Sequence, residues 1–206
     1  MKLGEILKHP QVKEYSKIQG KVGIMAIHGG NIEPGTEQIS NHISKLSSAS
    51  LYVLSVRTHE REYERFHLSS TKIDTSESET LKEFLEHIEA AISIHGHGRR
   101  KCKNTIFLGG LNRKLRKLTE EMLKERLYYE ILNEDKVPES LRGENPKNIV
   151  NLAKNHGVQI ELPKKLRRNF DDVRNLKEEP KGDALIFAKT MAEVVRAYSK
   201  ELKYSS

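Results

Sequence analysis

Apolar positions along the chain fall either into short continuous runs or into stripes of helical period. Val22-Gly-Ile-Met-Ala-Ile27, ended by Gly29-Gly30, predicts a strand buried on both faces. Leu51-Tyr-Val-Leu-Ser-Val56 predicts a second strand, and Phe66–Ser69 a short third. Ala90-Ala-Ile-Ser-Ile94 stops at His95-Gly-His-Gly98, Thr105-Ile-Phe-Leu108 stops at Gly109-Gly110, and Val158-Gln-Ile-Glu-Leu162 stops at Pro163. Helical patterns lie between them. Gly35–Leu46 places Ile39, Ile43 and Leu46 on one face. Ser76 and Glu79 have capping-box spacing ahead of a stripe of Leu81, Phe84, Leu85 and Ile88. Leu115–Leu132 reads as one charged amphipathic helix and Asn148–Lys154 as a short one. Asp183–Leu202 reads as a final helix with Ile186, Met191, Val194, Val195 and Tyr198 inward. The polar segment Asn133–Lys147, with Pro138 and Pro146, reads as a surface loop. Strands alternating with helices predict the α/β class: a mixed, mostly parallel sheet flanked by helices, in a single domain over residues 1–206.

With 206 residues, the chain is long enough to hide roughly 70% of its unfolded surface. No apolar stretch approaches the roughly 20 residues of a membrane span. The first residues alternate charge and apolar character without a continuous apolar block, so the expectation is a cytoplasmic protein without an export signal. The single cysteine, Cys102, excludes an internal disulfide framework and a cysteine-rich zinc module. It reads as a loop thiol among cations. The formal net charge of +7 points to a polyanionic partner. No basic run is interleaved with aromatics, so a base-stacking platform is not expected.

Reactive side chains gather at strand ends. His28 and Glu33 flank Gly29-Gly30, His95 and His97 close another strand, and Glu161 lies within a third. Ligands in open α/β sheets bind beyond the carboxyl ends of the strands, so parallel strands would bring His28, His95 and Glu161 to one edge. Two imidazoles and one carboxylate suit a zinc ion with a fourth position open to water. A further carboxylate, not a ligand, is needed to move protons, and Glu161 is placed for that role. A lone strand-end histidine is more often structural; two in Gly-flanked turns, one with a nearby Glu, raise the metal reading. His97 competes with His95, since alternation puts both on one side. Lys164-Lys-Leu-Arg-Arg168 reads as a solvated face or as a receiver of substrate carboxylates. Gly109-Gly110-Leu-Asn-Arg113 is a weak phosphate-type nest.

At these residues the chain resembles the poly-gamma-glutamate hydrolases of bacilli and their phages, a group also described as phage replication-related proteins. The matching pieces are Ala26-Ile-His-Gly-Gly-Asn-Ile-Glu-Pro-Gly-Thr-Glu37, His67-Leu-Ser-Ser-Thr71, Ser93-Ile-His-Gly-His-Gly98, Leu108-Gly-Gly110 and Gly157-Val-Gln-Ile-Glu-Leu162. The resemblance implies a zinc carboxypeptidase-like fold and zinc-dependent cleavage of gamma-glutamyl amide bonds in a capsule polymer. Ser93-Ile94-His95 matches a carboxypeptidase piece and favours His95 over His97; Ile160-Glu161-Leu162 resembles another and supports Glu161 as general base and acid. The first piece departs, with four residues between His28 and Glu33 where carboxypeptidases have two. The implied set is one zinc ion on His28, Glu33 and His95, catalysis by Glu161, and substrate binding by Arg167, with His67, Asn112 and Arg113 behind it. The expected partner is a polyanionic polymer, not nucleic acid or a membrane, and the expected state is a monomer. A phage enzyme of this kind would leave its cell at lysis. The alternatives are a zinc amidohydrolase acting on another acidic or cell-wall amide, and a non-enzymatic nucleic-acid-binding protein.

Overall fold

The computed structural model describes residues 1–58 and 62–204. Its described strands are β1 (Val12–Lys17), β2 (Val22–Gly30), β3 (Ser50–Val56), β4 (Ala90–His97), β5 (Thr105–Gly109), β6 (Glu130–Asn133) and β7 (Gly157–Pro163). The helices are α1 (Leu3–Leu7), α2 (Thr36–Ser47), α3 (Glu79–His87), α4 (Arg113–Arg126), α5 (Lys164–Arg167) and α6 (Gly182–Tyr204). The strands form one sheet in the order β1-β3-β2-β4-β7-β5-β6. β3, β2, β4 and β7 run parallel, as do β5 and β6. The pairs β1–β3 and β5–β7 are antiparallel. This is the mixed, mostly parallel α/β sheet that the pattern predicts.

The continuous apolar runs are explained by burial on both faces. Val22, Ile24 and Ala26 face one core with Ile92, Ile94, Val158, Ile160 and residues of α2, α4 and α6. Met25, Ile27 and Ala91 face a second core with Leu3, Phe66, Phe84 and Ile149. Small residues let α3 approach: a Cβ on Gly23 would lie 2.6 Å from Phe84 Cζ.

Several elements differ from expectation. The helix predicted to reach Leu132 ends at Arg126, and β6 follows. Leu127, Tyr129 and Ile131 are buried while Tyr128 is fully exposed, which is strand alternation. Phe66–Ser69 is not a strand: Glu62–Phe66 is a 3-10 turn and irregular chain follows. The cap of α3 is Ser78, whose hydroxyl accepts from Leu81 N at 3.0 Å; Ser76 instead binds Asp74 in a preceding 3-10 turn. Asn148–Lys154 holds a 3-10 turn at Ile149–Leu152. Leu46 and Ile186 are exposed, and Phe187 takes the inward place in α6. β1 and α1, absent from the sequence reading, cover one sheet edge and one face. Among the described residues, no helix is long and apolar enough to cross a membrane.

Candidate active site

The central strands carry the site. His95 on β4 and Glu161 on β7 are direct register partners, so ladder hydrogen bonds set their relative position. Ile92, Ile94, Ile160 and Leu162 face the α2/α4/α6 core, so alternation turns Ser93, His95, His97, Gln159 and Glu161 to the other face. His28 reaches that face through a register shift. Ala26 pairs with Val53 and Gly29 with Ser55, so β2 has one extra residue there. Ile27 packs in the second core, and the bulge lets the next side chain, His28, meet His95 on the same side.

The chain then turns tightly. Glu33 N donates to the His28 carbonyl at 3.0 Å, and Gly30 holds φ of +67° where a Cβ would meet Val56 O at 2.2 Å. This returns Glu33 to His28 across four intervening residues. Glu33 Oε1 lies 2.9 Å from His28 Nδ1, and Oε2 accepts Gly96 N–H at 2.8 Å. Oε2 also stands 3.7 Å from His95 Nδ1. His28 Nε2–H donates to the Leu68 carbonyl at 2.9 Å. The His28 ring is 4.9 Å from that of His95 and 4.3 Å from that of His67. His95 Nε2 is buried and has no hydrogen-bond partner among the described residues.

Charge in this cluster is arranged by burial and proximity. Burial opposes ionisation of both His28 and Glu33, but their mutual attraction outweighs it. His28 is raised above its ordinary value, and Glu33 is held well below the usual carboxylate range. Glu161 has no such partner. Burial pushes its carboxyl up to about 7, and Glu33 adds to this while His95 and His28 oppose it. Its Oε1 accepts from Gln159 Nε2 at 3.0 Å, and Gln159 Oε1 in turn accepts from Asn148 Nδ2 at 2.8 Å. Gln159 and Asn148 were not singled out in the sequence. The only signal for Gln159 is its spacing of two from Glu161 on one strand.

The other candidates divide. His67 is exposed and stacks on His28, and burial with the His28 charge lowers its pKa. His28, Glu33 and His67 offer ligand atoms within 4.8 Å of one another, a grouping that the sequence reading, with His67 among the substrate contacts, did not contain. Arg167 is buried against the cluster; its Nη1 donates to Pro34 O at 2.8 Å and its Nε has no partner. A Cβ on Gly96 would stand 2.3 Å from that Nε, so glycine makes room for the guanidinium. His97 lies on the same face but points away: its Nε2 binds Thr105 O at 2.9 Å and its ring packs on Phe107.

Asn112 and Arg113 are not brought to the site. β5 runs antiparallel to β7, so its carboxyl end emerges at the opposite edge, where Asn112 N donates to Gly157 O. Asn112 caps α4 and spends its amide on Asn155 O and Tyr198 Oη, while Arg113 is exposed on α4. The weak nest before α4 is thus a helix cap.

The fold is that of the carboxypeptidases: a putative carboxypeptidase A from Shewanella denitrificans superposes with TM-score 0.56 at 13% identity, covering 96% of this chain and 67% of that one. The sheet, with its histidine and glutamate cluster at the strand ends, has the carboxypeptidase-like α/β architecture. Residues 3–197 match the family described as poly-gamma-glutamate hydrolase, and the chain belongs to that family. A solved bacteriophage poly-gamma-glutamate hydrolase matches with TM-score 0.80 at 24% identity, over 93% of this chain and 91% of that one. A structure described as zinc-free apo YndL matches with TM-score 0.78 at 23% identity, over 91% of each. Among curated Bacillus subtilis proteins, the SPbeta prophage-derived YoqZ is 32% identical over 74% of this chain, and YmaC is 30% identical over 77%. The chain spans 53% of YoqZ and 64% of YmaC.

Proposed function

We propose that the chain hydrolyses gamma-glutamyl amide bonds of poly-gamma-glutamate with one zinc ion held by His28, Glu33 and His95. The observation that carries this reading is the convergence of those three side chains beside a buried carboxyl, Glu161, that is neutral up to about 7. The donor chemistry suits a metal, and His28 and Glu33 are common to this set and to the grouping with His67 whose ligand atoms lie within 4.8 Å. His28 already gives Nε2–H to a backbone carbonyl, the outer contact that orients a ligating imidazole, and turns Nδ1 to Glu33 Oε1 at 2.9 Å, where a metal would replace the shared proton. His95 Nε2 is an orphaned buried nitrogen, and the 3.7 Å between His95 Nδ1 and Glu33 Oε2 is too long for a hydrogen bond. The family name supports poly-gamma-glutamate as the substrate, and the zinc-free description of YndL supports zinc as the metal.

When bound, zinc lowers the pKa of a water ligand toward roughly 7 and polarises an amide carbonyl. Glu161 takes a proton from the attacking water and hands it to the leaving amine, a double role suited to a carboxyl poised near neutrality. Gln159 and Asn148 hold that carboxyl in place. Arg167, buried beside the cluster against Gly96, supplies the positive charge that receives a substrate carboxylate, and exposed His67 flanks the entrance. The test is metal content of purified protein, followed by the size of poly-gamma-glutamate after incubation with and without chelator. Stoichiometric zinc and chelator-sensitive shortening are expected. Absence of shortening by the zinc-loaded protein would overturn the reading.

A further inference from the structure

Beyond Arg167, the strand ends open onto a separate cavity of about 740 Å³. Six cations line it: Arg99, Arg100 and Lys103 after β4, and Lys164, Lys165 and Arg168 after β7. No carboxylate lines it, and no acidic partner is within ion-pair distance of any of the six among the described residues. The Arg99 side chain reaches Ser140 Oγ, and Lys165 reaches Asn104 Oδ1 and lies over the Tyr129 ring, 6.0 Å from its centroid. These six cations stand together on a chain whose formal net charge is +7. Like charges gathered around a concavity without counter-charges raise the local potential and draw anions.

The cavity adjoins the site along the sheet. The register pair His95–Glu161 is followed by Gly96–Leu162 and then by His97–Pro163, and His97 and Pro163 form part of the cavity wall. Arg167 packs on Gly96, and the next residue, Arg168, lines the cavity. No Phe, Tyr or Trp lines it, so it offers no platform for base stacking.

We propose that this cavity is a secondary subsite that holds side-chain carboxylates of a polyanionic polycarboxylate chain on one side of the scissile bond. The inference rests on the gamma-glutamyl hydrolase reading for the identity of the polymer. Each residue of such a polymer carries a carboxylate, so a segment leaving the catalytic cluster over Arg167 meets the cations in succession. The subsite acts on long substrates and is silent for short ones.

The test is the triple variant Arg100→Gln/Lys164→Gln/Arg168→Gln, three exposed side chains without ion pairs, compared with wild type in the zinc-loaded state. Binding of fluorescently labelled poly-gamma-glutamate is followed by anisotropy at low and moderate salt. Turnover is followed on the polymer and on a gamma-glutamyl dipeptide. At low salt, polymer affinity should fall by about 10- to 30-fold, the cumulative effect of three screened contacts. The variant's binding should also depend less on salt. KM for the polymer should rise in step, while kcat on the dipeptide stays within about twofold. Unchanged polymer affinity would overturn the proposal. So would a DNA duplex of equal charge binding wild type more tightly than the polymer, with that binding lost in the variant. Failure of wild type to cleave either substrate would sink the hydrolase reading alone, because the anisotropy comparison still decides the subsite.

Discussion

Glu161→Gln isolates the cost of burying one charge. The volume hardly changes, and the carboxamide oxygen can still accept from Gln159 Nε2, which now donates to Glu161 Oε1 at 3.0 Å. The folded chain holds the Glu161 proton up to about 7, against 4.5 for an unperturbed glutamate. A raised value means that the folded state binds the proton more tightly than the unfolded state. The stability tied to this residue is therefore complete below about 4.5 and is lost as pH rises to about 7. A gap of about 2.5 pH units at about 1.4 kcal/mol each makes the charged residue cost about 3 kcal/mol above neutrality. The variant escapes that cost. In urea or thermal unfolding at pH 8, metal-free Glu161→Gln should be about 3 kcal/mol more stable than metal-free wild type, or roughly 6–12 °C in Tm. At pH 5 the gain should shrink to about 1 kcal/mol, because the wild-type residue is then neutral when folded. Zinc should narrow the gap at pH 8, since a nearby cation favours the carboxylate. A gain of equal size at both pH values, or a loss at pH 8, would refute the reasoning.

Four further outcomes are expected. His28→Ala and His95→Ala should each lose zinc in elemental analysis while His67→Ala keeps it; the reverse for His95 and His67 would transfer the ligand role to His67. The acid limb of kcat/KM should rise with pH through a pKa between about 4.5 and about 7, because Glu161 must be deprotonated to take a proton and the bound cation lowers its value. A pH-independent rate over that range would remove Glu161 from the role. Gly96→Ala should cut kcat/KM by at least about tenfold with zinc content unchanged, since its Cβ would displace the Arg167 guanidinium. Ser78→Ala should cost about 1 kcal/mol in urea unfolding through the lost cap on Leu81 N, and a neutral effect would show that the cap carries no stability.

The strands at the centre of the sheet are legible in the sequence because burial on both faces demands unbroken apolar runs, as in Val22–Ile27 and Val158–Leu162. Elements at the sheet margins are not. β1 buries only Val12 fully, so its pattern resembles a loop. In β6 the alternation of Leu127, Tyr129 and Ile131 follows directly on the charged stripe of α4 and blends with it. The direction of β5 is absent from its residues, since apolar runs look the same whichever way they pair. Asn112 and Arg113 therefore emerge at the edge opposite the cluster. His28, His95 and Glu161 converge because they sit on strands or strand ends whose parallel order the alternation with helices does imply. Gln159 and the Leu68 carbonyl were hidden, one as an ordinary strand residue and the other as backbone.

The extra residue in β2 has a consequence for how this site tolerates change. His28 faces His95 because the chain is one residue longer than its partner between Ala26 and Gly29. Regular pairing carried on through Ile27 would turn His28 toward the α2/α4/α6 core, so the cluster depends on the ladder skipping a residue just here. The chemistry is thus encoded by chain length as well as by residue identity, and insertions or deletions in this short stretch should be far more damaging than most substitutions in it.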